Sequence, residues 1–148
     1  MEKYDASSIQ VITEALPHII KRRSMYVATE GDCSLELATN LVNDAAILGA
    51  TDVAIAIMDR WYIVHSSFDW LNHAADYPVE ELFRRITSLE GGGLNSHRRE
   101  VLTTAFCSNV CTGLGGSATV IKGEIEEAFF TFLAEKVPAT HRYIAFRY

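Results

Sequence analysis

Apolar residues recur at helical spacing over residues 8–22, where Ile9, Ile12, Leu16, Ile19 and Ile20 share a face. Pro17 inside that run predicts a break or kink. Residues 24–33 read as turn and loop. The helical period returns with a stripe of Leu37, Leu41, Ala45 and Leu48. Ser34 is its expected N-cap, Glu36 sits in the first turn, and Gly49 is its expected C-cap. Two short β-branched and aromatic runs follow, joined at Asp59-Arg60, and predict a hairpin. Pro78 and the acids after it predict a helix over 79–89. Residues 91–96 are a glycine-rich loop, 97–110 a helix, and 112–117 a second loop. A strand begins at Ser117. Residues 125–137 stay open between two states: the acidic start suits a helix, whereas Phe129, Phe130 and Phe132 suit a strand. Residues 142–148 alternate and predict a strand.

This order predicts an α+β fold, a two-layer sandwich with helices on one face of a mainly antiparallel sheet. No repeat, low-complexity tract or linker interrupts it, so residues 1–148 are expected to form a single domain.

Composition narrows the function classes. With 49% hydrophobic and 22% charged residues, wholesale disorder is excluded. The net charge of -6 argues against a nucleic-acid partner. No run approaches the ~18 apolar residues of a membrane span. The polar N-terminus MEKYDASS lacks a signal-peptide layout. Three cysteines, Cys33, Cys107 and Cys111, read as reduced thiols in a cytoplasmic protein. Cys107 and Cys111 are spaced i, i+4 and would share a helix face. They read as buried core residues, and no metal site is expected.

Three landmarks resemble the ATP-binding domain of the ATPase component of DNA gyrase (gyrase B) and its relatives, the GHKL or Bergerat-fold ATPases. Residues 19–28, IIKRRSMYVA, resemble V-R-K-R-P-G-M-Y-I-G, with Lys21, Arg22, Met25 and Tyr26 matching. Residues 37–46, LATNLVNDAA, resemble the helix L-x-x-E-x-x-D-N-A. Residues 61–69 resemble the strand ending in D-x-G-x-G. The resemblance implies a GHKL-like domain without the transducer and later domains.

The same alignment implies lost ATPase chemistry. The family's general base falls at Asn40, which cannot take a proton from water. Its magnesium-binding Asn falls at Asp44, and the preceding Asp at Asn43. Its adenine-reading Asp falls at His65. Two glycines become Ser67 and Asp69, and a carboxylate at 69 would repel phosphate. His97 and Arg99 stand near the glycines of the phosphate loop. Arg98 and Arg99 read as solvated surface.

Neither hydrolysis nor binding of ATP in the family manner is therefore expected, and no cofactor is implied. The resemblance leaves a cleft between the helix at 35–48 and the sheet, lined by Asn40, Asn43, Asp44, Ile47, Met58, His65, Ser67 and Trp70. Such a cleft suits a small, largely apolar ligand of natural-product type, in a biosynthetic or sequestering role. A cofactor-independent cyclase or isomerase is the enzymatic alternative, with His65, Asp69 and Asn40 as catalytic candidates. A third reading is an interaction module with a gyrase-like partner or a second copy of the chain.

Overall fold

The computed structural model describes residues 14–94, 96–114 and 116–148. Helix α1 (Ala15–Lys21) lies within the first expected helix, and Ile9 and Ile12 fall outside the described residues. The helix runs through Pro17 without the expected break. Pro17 is the third helical residue, in the first turn, where its missing N–H has no intrahelical partner to lose. The expected loop after it contains a short helix, α2 (Arg23–Tyr26).

Helix α3 (Ser34–Ile47) buries Leu37, Leu41 and Ala45, with Leu48 just beyond its end. Cys33, rather than Ser34, is its N-cap residue. The Ser34 N–H and hydroxyl both donate to Asp32 Oδ1, at 3.0 and 2.6 Å. The helix ends in paired reverse bonds, Ala50 N–H to Ala45 O and Gly49 N–H to Ala46 O. Gly49 has φ +118, which a side chain would resist. The Gly49→Ala variant is expected to lose about 1–2 kcal/mol in urea denaturation.

Strands β1 (Ala54–Met58) and β2 (Trp61–Ser66) form the expected hairpin. Its turn residues Asp59 and Arg60 both have positive φ, as a type I′ turn requires. The expected helix at 79–89 shrinks to α4 (Val79–Leu82). The chain beyond it extends instead, pairing Ser88 with His97 and accepting the Arg98 N–H at Thr87 O. The expected helix at 97–110 is likewise shorter, α5 (Glu100–Phe106). Strand β3 (Asn109–Leu114) takes over part of that helix and part of the expected loop. Cys107 and Cys111 thus share no helix face. Both are buried free thiols, pushed up to about 12 by burial. Strand β4 (Ser117–Lys122) is followed by α6 (Glu127–Lys136), which resolves the open segment as a helix. Strand β5 (Arg142–Arg147) ends the fold.

The sheet order is β1-β2-β5-β3-β4, with every pair antiparallel. The α+β class therefore holds, but the one-face arrangement does not. Val64, Val110, Ile144 and Phe146 pack beneath α1, α3, α4 and α5. Their strand neighbours Ile63, Cys111, Tyr143 and Ala145 face the other way, where Phe129 and Leu133 of α6 cover them. Trp61 stacks on Phe129 at 3.8 Å and anchors that second layer. No described helix is long and apolar enough to cross a membrane.

Candidate functional site

The expected cleft lies where α3 meets the start of α5. Asp44 is fully buried there. Its Oδ1 accepts from Arg99 Nε at 2.9 Å and Nη2 at 2.6 Å, and its Oδ2 accepts the Arg99 backbone N–H at 2.9 Å. Arg99 Nη1 also donates to Asn40 Oδ1 at 2.9 Å. The two positions aligned with the family's metal ligand and base thus hold a guanidinium. Asp44 spends both oxygens on Arg99. Burial raises its pKa and outweighs the lowering by Arg99.

Arg98 is buried rather than solvated. It donates to the carbonyls of Trp70, Leu71 and His73, fixing the loop after β2. Trp70 is fully buried in the core beneath α3, so it packs the interior instead of lining an open cleft. A cavity of ≈ 270 Å³ remains beside Arg99, lined by Ile47, Leu89, Gly92, Ser96 and His97.

The other expected lining residues do not converge on this cleft. Asn43 and Ser67 are both exposed, and the Ser67 N–H donates to Asp52. Met58 and His65 face the α6 side of the sheet, because they alternate with the residues that face α3. Asp69 does not stand free to repel phosphate. It pairs with Arg142, at 2.8 Å to Nε and 3.2 Å to Nη2. Burial opposes its ionisation, but the bonds from Arg142 and Asn72 hold its pKa below the ordinary value. The catalytic candidates His65 and Asp69 therefore do not pair, and His65 meets His141 instead. Among the described residues no three or more His, Cys, Asp or Glu side chains form a metal cluster.

A roomier space lies on the opposite face. One row of side chains crosses the whole sheet there: Ala54, His65, Tyr143, Gly113 and Ala118. Gly113 is required, since a Cβ on it would meet the Tyr143 ring at 2.6 Å and Ser117 O at 2.5 Å. The Tyr143 ring can therefore lie down toward β4. Between this floor and α6 runs a groove of ≈ 510 Å³, lined chiefly by Ala118, Val120, Phe130, Leu133, Val137 and Tyr143. Phe129, Leu133 and Val137 recur every four residues and clamp α6 to the sheet. Phe130 and Ala134, one position on, turn toward the groove.

His141 lines the same groove. Its Nδ1 lies 3.0 Å from His65 Nδ1, and the ring centroids are 5.2 Å apart. The two nitrogens thus lie near the line joining the rings, as one N–H···N bond with a single proton between them. Burial, then His141, lowers the His65 pKa, with Asp52 opposing. Burial raises the Tyr143 pKa, so its hydroxyl remains a donor.

Sequence reasoning read Arg99 as solvated surface rather than as the partner of Asp44 and Asn40, and it missed Tyr143, His141 and Leu133 as groove residues. Spacing did carry part of the second group: Phe129, Leu133 and Val137 fit a helix face, and Tyr143 and Ala145 share a strand face. The partners across the sheet carried no such signal. No protein-family model and no curated protein matches the chain.

Proposed function

We propose that this protein is a non-hydrolysing member of the gyrase B-like GHKL type that binds a small, largely apolar organic molecule. The ligand sits in the groove between α6 and the sheet, and Arg99 narrows the former nucleotide cleft beside α3 to a cavity of ≈ 270 Å³. The observation that carries this reading is the groove itself. Its ≈ 510 Å³ is ordinary for a small-molecule site, and its lining is apolar with few polar groups. Arg99 supports the other half of the reading, because its bonds to Asp44 and Asn40 occupy the positions that the metal and the attacking water would need. A role in natural-product biosynthesis or sequestration fits a site that holds an apolar molecule without charged groups.

The test is fluorescence titration with an environment-sensitive naphthalene probe. Wild type is expected to bind it saturably, and Ala134→Trp, which fills the groove from an exposed position on α6, is expected to weaken binding at least about tenfold. Magnesium-ATP is expected neither to displace the probe nor to raise the melting temperature. Equal binding by Ala134→Trp, or a clear ATP–magnesium shift, would overturn the reading.

A further inference from the structure

The groove has an uneven distribution of polarity. Its walls, Ala118, Val120, Phe130, Leu133 and Val137, offer nothing to a polar ligand atom. Two side chains do. Tyr143 lines the groove and is only 7% exposed, and its hydroxyl makes no hydrogen bond within the described residues while staying open to solvent. Water satisfies such a hydroxyl in the free protein, and a ligand that displaces that water must supply an acceptor for the phenol proton.

His141 is the second. Its Nδ1 is committed to His65. When His65 donates that proton, His141 carries its own proton on Nε2, which is then a second donor. An acceptor bound beside it favours this tautomer. Gly113 makes the pairing possible, since any larger residue would push the Tyr143 ring away from its place.

Resting on the groove reading above, we propose that the ligand carries one hydrogen-bond-accepting oxygen, a carbonyl or a carboxylate, on an otherwise apolar body. The oxygen is held by the Tyr143 hydroxyl, and His141 Nε2 offers a donor elsewhere on the groove wall. The apolar walls supply affinity and the two donors set orientation and choice of ligand.

Three ligands with one ring system separate the contributions: 1-ethylnaphthalene, 1-acetylnaphthalene and 1-naphthaleneacetic acid. Each competes with the fluorescent probe on the full chain. The ketone or the acid is expected to bind about tenfold more tightly than the hydrocarbon, the scale of one satisfied buried hydrogen bond. Preference for the ketone identifies the group as a carbonyl, and preference for the acid identifies a carboxylate. Tyr143→Phe is expected to erase most of that preference. His141→Gln, which keeps a donor, is expected to retain part of it. Equal affinity for all three ligands in wild type would overturn the acceptor proposal and leave the groove reading standing. Binding of none would overturn the groove reading itself. A preference that survives in Tyr143→Phe would overturn the role given to the hydroxyl.

Discussion

At pH 8 the Glu100→Gln variant is expected to be more stable than the unmodified protein by up to about 3 kcal/mol, and near pH 4 the gain should vanish. Glu100 is fully buried at the start of α5, and neither carboxyl oxygen has a hydrogen-bond partner among the described residues. The flanking arginines are already engaged, Arg98 with backbone carbonyls and Arg99 with Asp44 and Asn40. Burial, reinforced by the nearby Asp44, raises the Glu100 pKa to about 7 from 4.5. The folded protein therefore holds a proton that the unfolded chain releases first. Stability is fully present below about pH 4.5 and falls as pH rises through about 7, then levels off. Glutamine cannot ionise and escapes that fall. Urea denaturation across this range reads the effect. Parallel pH profiles for the two proteins would contradict it.

The Arg99→Met variant is expected to lose about 3 kcal/mol or more, because it leaves Asp44 buried without its counter-ion. Asp44 is fully buried, whereas Arg99 keeps 28% of its side chain exposed, so the carboxylate bears most of the penalty. Adding Asp44→Asn removes the orphaned charge. The amide oxygen can still accept the Arg99 backbone N–H, now that of Met, at the start of α5. The double variant should recover most of the loss, and a denaturation cycle over the four proteins measures the coupling. Additive losses would mean that the pair does not act as a unit.

The legible parts of this fold were the local ones. The α3 stripe, the Asp59-Arg60 turn and the alternation of β5 each follow from nearest neighbours in sequence. Strand β3 was not legible, because Asn109–Leu114 continues directly from a good helical pattern and becomes a strand only by pairing with β4 and β5 on its two sides. The second helical layer was hidden for a related reason. Phe129 and Leu133 announce an apolar helix face, but only the sheet decides which side receives it.

The candidate site was legible to a similar depth. Aligning with the family helix singled out Asn40 and Asp44, and both do lie together. Their partner Arg99 comes from 55 residues further along the chain, as read from its bond to Asp44. His65 was placed in the wrong chamber by its position at a strand end, where one residue of register reverses the face. Ser66, its neighbour, is the residue that turns toward α3, and its hydroxyl binds Asp52. This hydroxyl, then the bond from Ser67, holds the Asp52 carboxyl down at about 2.

Two-dimensional NMR of the labelled protein, titrated with the naphthalene probe, tests most directly whether binding lies on the α6 face rather than in the α3 cleft. Shifts concentrated at Val120, Leu133 and Tyr143, with Asn40, Asp44 and Arg99 unmoved, are the result expected. Shifts concentrated at Asn40, Asp44 and Arg99 instead would contradict it.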